Sequence, residues 1–164
     1  MRILGIDPGL NITGYGVLDT DESGITIVEA GVVRTKAKES MENRLLDIGR
    51  EMEGIIAQHR PDAIAIEELY SHYGHPKTAI IMGHARGIVF LKAAEAKIKV
   101  FPYSSTRVKN SLTGNGRASK KQMQLMVCST LGMPSIPDPP DVADALAVAL
   151  CHITMLEHKH TVGL

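Results

Sequence analysis

A short apolar strand between two helical segments constrains the fold of this chain more than any other feature. Residues 62–67, Asp-Ala-Ile-Ala-Ile-Glu, are too few for a core helix and are apolar on both faces, as in a buried parallel strand. An amphipathic helix is predicted before it over 41–58, and an Ala- and Ile-rich helix after it over 77–96. A further strand is predicted over 99–102. This alternation predicts right-handed crossovers and a parallel half-sheet.

The first third of the chain predicts strands that are joined by turns instead. An apolar run over 2–7 ends at Pro8-Gly9, and β-prone residues follow over 13–18 and 25–34. Three strands with short connections predict an antiparallel meander. Combined with the parallel strands, the meander predicts an α/β fold in which a five-stranded mixed sheet is flanked by helices.

The last third predicts two more helices, over 119–131 and from residue 140 to about residue 157. A segment with four prolines, over 133–140, separates them and is predicted to be a loop. No repeat or linker interrupts the chain, and 164 residues are enough to bury one hydrophobic core. The sequence therefore predicts a single domain over 1–157 and a short C-terminal tail over 158–164.

The 18 basic and 18 acidic side chains are unevenly distributed along the chain. Residues 1–75 hold 13 acids and 7 bases, whereas residues 96–137 hold 7 bases and no acid. A segment without carboxylates is typical of a surface that faces a polyanion, because a merely solvated surface mixes both signs. Ordinary surface lysines on two helices are the alternative interpretation.

The same sequence excludes several other classes of protein. The longest apolar stretch, over 142–156, is interrupted by Asp144 and His152, so no membrane span is expected. No secretory signal peptide is expected, because Asp7 interrupts the start of the chain before the apolar core of such a peptide could form. Cys128 and Cys151 lie in apolar helical stretches without metal-site spacing, which predicts reduced core cysteines. We expect a soluble cytoplasmic protein with no membrane partner.

Four carboxylates are predicted to meet at one edge of the sheet. Asp7 and Glu67 each end a strand, and neighbouring parallel strands end at the same edge. Asp141 and Asp144 share one face of the first turn of the last helix, whose alanines permit a close approach to the sheet. Such acids repel one another unless a hard cation neutralises them, and oxygen ligands favour Mg²⁺ or Mn²⁺. Two such ions would clamp a phosphodiester.

Each acid also has an ordinary structural interpretation. Asp7 precedes a tight turn, and the pair that opens the last helix is favoured there by the helix dipole. Glu68 competes with Glu67, although strand alternation places the two side chains on opposite faces. Asp138, in the proline-rich loop, is expected to stabilise a turn. The joint occurrence of the four acids therefore carries the prediction.

Several short motifs follow one another along the chain in a specific order. They are Gly5-Ile6-Asp7-Pro8-Gly9 with Gly14-Tyr15-Gly16, Ala65-Ile66-Glu67, Ala85-Arg86-Gly87, Val108-Lys109 with Gly114 and Gly116, and Ala143-Asp144-Ala145-Leu146-Ala147. In this order and spacing the chain resembles the RuvC family of Holliday junction resolvases, from residue 5 to about residue 152. The resemblance implies a ribonuclease H-like fold and a crossover junction endodeoxyribonuclease of DNA recombination and repair. Such an enzyme resolves four-way junctions by paired, metal-dependent cuts that leave 5′-phosphate and 3′-hydroxyl ends.

The resemblance also implies roles for individual residues. It assigns catalysis and the binding of Mg²⁺, at two ions per site, to the acids Asp7, Glu67, Asp141 and Asp144.

Among the DNA contacts, the resemblance implies that Lys109 and Lys120 lie beside the scissile strand. It places Tyr70, where some members carry phenylalanine, near the centre of the junction. Arg117 and Lys121 extend the basic stretch and are candidate phosphate contacts.

Partners follow from the symmetry of the substrate and from the resemblance. A four-way junction is roughly two-fold symmetric, so paired cuts are most simply made by a homodimer. The predicted helix over 77–96 offers an apolar stripe as an interface, with an intradomain core as the equal alternative: Ile80, Ile81, Ile88, Val89 and Leu91. The resemblance further implies a junction-binding and branch-migration complex of RuvA and RuvB.

Three rival interpretations remain open from the sequence. Asp7-Pro8-Gly9 followed by Thr13-Gly14 is also typical of actin-like ATPases and sugar kinases, which need two such lobes where this chain has the length of one. A second rival is a DNA-binding module in which the acids are structural. In a third, His72 and His75 pair as a metal site, but surface or DNA-contact positions are the favoured interpretation of this spacing.

Overall fold

The computed structural model describes residues 1–69 and 76–162 of the chain. Its sheet has the five predicted strands, which are β1 (Arg2–Asp7), β2 (Ile12–Asp21), β3 (Gly24–Arg34), β4 (Ala63–Glu67) and β5 (Lys99–Tyr103). The helices of this part of the chain are α1 (Met41–His59), α2 (Pro76–Glu95), α3 (Ser105–Thr113), α4 (Lys120–Leu131) and α5 (Asp141–Val162). The predicted α/β class with a mixed, helix-flanked sheet is confirmed.

The strand order in the sheet is β3-β2-β1-β4-β5. The first three strands form the predicted antiparallel meander, and β4 and β5 run parallel to β1. The ends of β1, β4 and β5 therefore lie at one edge, together with the start of β2 and the end of β3. We call this the carboxyl edge. Ligand sites of α/β sheets gather at such an edge, so its residues are the first to examine for function.

Two apolar layers hold the sheet between the helices. Alternate residues of β1 face opposite layers, so Ile3 packs with α5 while Leu4 and Ile6 pack with α1 and α2. In β4, Ala65 and Ile66 divide between the two layers in the same way and are fully buried. The two-sided burial that the sequence predicted for this strand is confirmed, and it fixes Glu67 at the strand's end.

Helix α5 lies directly against the backbone of the first two strands. A Cβ atom built on Gly5 would lie 2.8 Å from Ala149 Cβ and 2.9 Å from Ala149 N, and would collide with the carbonyl of Ala145. A Cβ atom on Gly14 would likewise meet the carbonyl of Asp141. Glycines in the strands and alanines in the helix thus produce the close approach that the small residues of α5 predicted. This contact sets the position of the helix's first turn over the sheet.

We expect Gly5→Ala to destabilise the protein by about 1–3 kcal/mol, because the added methyl overpacks a contact formed largely by backbone atoms. Gly54→Ala is the matched control, since Gly54 lies on the exposed side of α1 with no atom within 4 Å of a built Cβ. That change is expected to stabilise by roughly 0.4–1 kcal/mol. Urea unfolding of the two variants compares the effects, and equal free energies of unfolding would contradict the close-packing argument.

One helix and one helix end differ from the sequence prediction. Helix α3 was not predicted, because it has only nine residues and Val108 is its single buried residue. Its ends are marked by capping instead: the Ser104 hydroxyl accepts a hydrogen bond from the Arg107 N–H, and Gly114 ends the helix at a φ of 69°. Helix α5 continues to Val162, so most of the predicted tail over 158–164 is helical.

The cysteines and the apolar helices bear on two further expectations from the sequence. Cys128 and Cys151 are buried free thiols, as predicted. Over residues 1–69 and 76–162, no helix is both long and apolar enough to cross a lipid bilayer.

Candidate active site

The four predicted acids all lie at the carboxyl edge. Asp7 is the last residue of β1, and Glu67 is the last residue of the adjacent parallel strand β4. Asp141 and Asp144 open α5, where the Asp141 main chain rests against Gly14, the cross-strand partner of Asp7. Three separate elements therefore bring carboxylates toward one region.

Electrostatic coupling shows how close these carboxylates are. The pKa of Asp7 is raised from 3.8 to about 7, first by burial and then by the charges of Glu67, Asp144 and Asp141 in that order of strength. The pKa of Glu67 is also raised, first by burial and then by the charge of Asp144. Acids that share a site in this way carry excess negative charge at neutral pH.

Two lysines counter part of that charge. Lys120 Nζ donates a hydrogen bond of 2.8 Å to Asp144 Oδ2, and this bond is the main cause of the raised pKa of Lys120. The charges of Lys109 and Lys120 both lower the pKa of Glu67. These side chains line a pocket of about 210 Å³ formed by Glu67, Ser105, Val108, Lys109, Lys120, Met123, Asp144, Ala147 and Val148. Acids and bases thus face one open cavity beside the sheet.

The turn that follows Asp7 is fixed by a buried threonine. Thr13 is 1% exposed, and its hydroxyl donates a 2.6 Å hydrogen bond to the carbonyl of Gly9. The donor that a kinase-like turn would offer to a nucleotide phosphate is therefore used within the turn. This geometry favours a structural role for Thr13 and positions Asp7 at the strand end.

The donor set fits a hard divalent cation. All four carboxylates offer oxygen ligands, and the raised pKa of Asp7 reflects burial together with neighbouring negative charge that such an ion would neutralise. Within the described ranges, however, no three Asp, Glu, His or Cys side chains are already gathered around one point closely enough to enclose an ion. Because Lys120 binds Asp144, an ion has to compete with this ammonium group, and the acidic side chains have to close around it.

The other predicted site residues are distributed as follows. Arg117 and Lys121 are exposed and flank Lys120 at the start of α4. Tyr70 lies outside the described residues, as do His72 and His75. Lys97 and Lys99 precede and begin β5, at the edge of the sheet opposite to Asp7. The acid-free segment over 96–137 is therefore split between two edges, and the prediction of one continuous polyanion-facing surface is wrong for its first residues.

Two acids next to the site in the sequence are exposed. Glu68 is exposed, and its N–H donates to the carbonyl of Tyr103, so strand alternation distinguished it correctly from Glu67. Asp138 is exposed in the loop before α5.

One residue of the pocket was missed by sequence reasoning. Ser105, the first residue of α3, hydrogen-bonds Glu67 and thereby lowers its pKa against the effect of burial. The signal that could have found it is Ser104-Ser105-Thr106 directly after a strand, which is typical of a helix start.

A scan against protein-family models matches residues 3–152 to the model described as crossover junction endodeoxyribonuclease RuvC. The chain belongs to the RuvC family. A RuvC crossover junction endodeoxyribonuclease of Rhodopirellula baltica is 48% identical over 149 residues, which cover 91% of this chain and 84% of that protein. RuvC family nucleases use divalent metal ions, in agreement with the oxygen donor set described above.

Solved structures agree with the family membership and with the fold. Thermus thermophilus RuvC in complex with Holliday junction substrate matches at a TM-score of 0.90 and 33% identity, over 96% of each chain. The yeast mitochondrial Holliday junction resolvase Ydc2 matches at a TM-score of 0.69 over 98% of this chain and 82% of that one, and at 14% identity it shows the fold alone. The predicted ribonuclease H-like fold is confirmed.

Proposed function

We propose that this chain resolves four-way DNA junctions by hydrolysing two phosphodiesters of like polarity. The observation that carries the proposal is the convergence of four acids at the carboxyl edge, where burial and then the charges of the other three acids raise the pKa of Asp7 to about 7. Such a site requires a divalent cation, and the neighbouring lysines suit a phosphate backbone. The substrate follows from RuvC relatives and from the structure of one of them with a Holliday junction.

We assign the binding of Mg²⁺, with Mn²⁺ as a substitute and two ions per site, to the acids Asp7, Glu67, Asp141 and Asp144. When bound, the ions supply an activated water and stabilise the leaving oxygen. The carboxylates orient the reacting groups, and Lys109 and Lys120 neutralise the scissile phosphate. The water oxygen bonds to phosphorus as the bond to the 3′ oxygen breaks, which leaves 5′-phosphate and 3′-hydroxyl ends.

We assign DNA contacts to the basic residues around the pocket. Lys109, Lys120, Arg117 and Lys121 lie on α3, on α4 and on the connection between them, beside the acids. Phosphate contacts of this kind supply most of the affinity, and the shape of the junction supplies selectivity. The family resemblance adds Tyr70, whose ring would stack near the junction centre. The family resemblance also supports a cytoplasmic location. It further supports a branch-migration complex of RuvA and RuvB as a partner.

A homodimer with α2 at its interface accounts for paired cutting. The predicted apolar stripe divides in two: Val89 is buried in the core, whereas Ile80 and Leu91 are 62% and 51% exposed. Residues 80 and 91 lie three turns apart on one face of α2. Gly87 lies between them on the same face, and it has no side chain that would block the approach of a second helix. An exposed apolar line of this kind supports contact with a second copy.

We expect wild-type protein to sediment as a dimer at micromolar concentration and Leu91→Lys to shift it to monomer, because the new charge would be buried without a partner. Leu46→Lys is the matched control, since Leu46 is 48% exposed on α1. A wild-type monomer would contradict the homodimer itself. A Leu91→Lys variant that remains dimeric would contradict an interface at α2.

Cleavage of a synthetic four-way junction in Mg²⁺ tests the function itself. We expect two symmetric nicks in the junction, ends that a ligase can rejoin, and no cleavage of a linear duplex of the same sequence. Binding of the junction without cleavage would favour the DNA-binding module in which the acids are structural. Equal cleavage of both substrates would overturn selectivity for structure.

A further inference from the structure

The connection between β3 and α1, residues 35–40, leaves the sheet at the carboxyl edge. Arg34, the last residue of β3, pairs with Ile12 of β2, and Ile12 lies two residues before Gly14, which pairs with Asp7. Arg34 is therefore two strands away from Asp7 along the sheet. At a strand spacing of about 4.8 Å, this separation is about 10 Å across the strands.

This connection is basic although the first part of the chain is acidic. Residues 34–44 hold four bases and two acids, Glu39 and Glu42. Three of the bases, Arg34, Lys36 and Lys38, are exposed, and we call them the outer basic cluster. The Lys36 side chain is 83% exposed and pairs with Glu39 at 3.3 Å. Surface pairs of this kind are weak and exchange readily with other anions.

A buried arginine ties this connection to the turn that follows Asp7. Arg44 of α1 is 9% exposed, and its guanidinium donates to the Thr35 hydroxyl at 3.0 Å and to the Asn11 side-chain oxygen. Thr35 in turn donates from its hydroxyl to the carbonyl of Leu10 at 2.6 Å and from its N–H to the carbonyl of Asn11 at 3.1 Å. The main chain at Thr35, inside the segment that carries the outer basic cluster, is therefore tied to the turn that follows Asp7.

The charge of Arg44 adds to the positive potential of this region. The hydrogen-bond acceptors of its guanidinium are neutral oxygens, and no carboxylate in residues 1–69 or 76–162 lies within ion-pair distance of it. A buried cation without a counter-charge is costly, and a nearby anion relieves that cost. A phosphate at the outer basic cluster would provide such an anion.

We propose that Arg34, Lys36 and Lys38 bind the phosphate backbone of a junction arm. In the strand order Arg34 ends β3, on one side of β1, whereas Lys109 and Lys120 line the pocket beside Glu67, which ends β4 on the other side of β1. With the two-residue offset between Ile12 and Gly14, about 7 Å along the strand, the main chain of Arg34 lies about 12 Å from that of Asp7, which corresponds to three to four nucleotides at about 3.4 Å of rise each. The DNA strand is then held on both sides of the scissile phosphate. This inference rests on the proposed function, because it extends the same DNA-binding surface.

Salt dependence of junction binding tests this contact. The double variant Arg34→Gln, Lys38→Gln is compared with Arg60→Gln, Lys97→Gln, which removes the same two residue types from exposed positions at the opposite edge. Fluorescence anisotropy with a labelled four-way junction in EDTA gives the slope of log affinity against log salt. We expect the first variant to lower the magnitude of the slope by about 1.8, since each phosphate contact contributes about 0.9. The opposite-edge variant is expected to keep the wild-type slope.

Each outcome separates this inference from the function on which it rests. Wild-type slopes for both variants, with unchanged melting temperatures, would overturn the outer basic cluster while junction binding by the wild type stands. Absence of junction binding by the wild type would overturn the proposed function itself. Equal losses in both variants would show general charge attraction, which also overturns a contact at this edge. Charge reversal with Lys38→Glu provides a second check, and it is expected to weaken binding more than Lys97→Glu does.

Discussion

Asp7→Asn is expected to abolish junction cleavage while junction binding is retained. The change replaces a carboxylate at the centre of the coupled acids with a neutral group of the same shape, and it leaves the basic residues untouched. Loss of metal-dependent stabilisation of about 4 kcal/mol corresponds to a rate lowered by about 10³-fold. Gel assays of nicked product in Mg²⁺ measure the rate, and anisotropy in EDTA measures binding.

Asp138→Asn is the matched control for this prediction. Asp138 is an exposed aspartate in the loop before α5, so the same chemical change is made outside the coupled acids. We expect this variant to cleave at the wild-type rate. Wild-type cleavage by Asp7→Asn would overturn the assignment of Asp7, and loss of binding together with a lower melting temperature would show a role in folding.

Asp7→Asn is also expected to stabilise the metal-free protein at neutral pH. The pKa of Asp7 is 3.8 in its reference state and about 7 in the fold, because burial and neighbouring carboxylates disfavour its charge. The stability contributed by protonated Asp7 is therefore fully present below about pH 3.8 and is lost as the pH rises through about 7. At about 1.4 kcal/mol per pKa unit, the loss reaches about 4 kcal/mol, and Asn avoids it.

Thermal unfolding in EDTA at several pH values measures this effect. We expect the melting temperature of Asp7→Asn to exceed that of the wild type at pH 8 by roughly 2–4 °C per kcal/mol and the difference to vanish near pH 4. Adding Mg²⁺ is expected to raise the wild-type melting temperature more than that of the variant. A variant that is less stable than the wild type at pH 8 would contradict the charge repulsion at this site.

Much of the fold could be predicted because its signals are local and strong. The two-sided apolar run of β4 requires cover on both faces, and this requirement led to the crossovers and to the placement of Glu67 beside Asp7. The alanines of α5 predicted a close approach that Gly5 and Gly14 now explain. Strand alternation, rather than residue type alone, distinguished Glu67 from Glu68.

The parts that could not be predicted depend on what a side chain meets in three dimensions. Helix α3 has nine residues and buries only Val108, so its apolar face is too short to stand out in the sequence. The stripe on α2 reads as one surface in sequence, yet Val89 packs inward while Leu91 is exposed. The basic segment over 96–137 is continuous in the chain, but β5 carries Lys99 to the far edge of the sheet. The spacing of residues in the sequence does not show which way each side chain or strand points in the fold.

The direct contact between α5 and the glycines of β1 and β2 has a mechanical consequence. Backbone meets backbone at Gly5 and Gly14, so no flexible side chain separates the helix from the sheet at these two positions. The main chains of Asp141 and Asp144 therefore shift only when the helix shifts, whereas those of Asp7 and Glu67 shift with the strands. The gap between helix and sheet thus sets how far apart the four main chains lie, and the small residues keep that gap short.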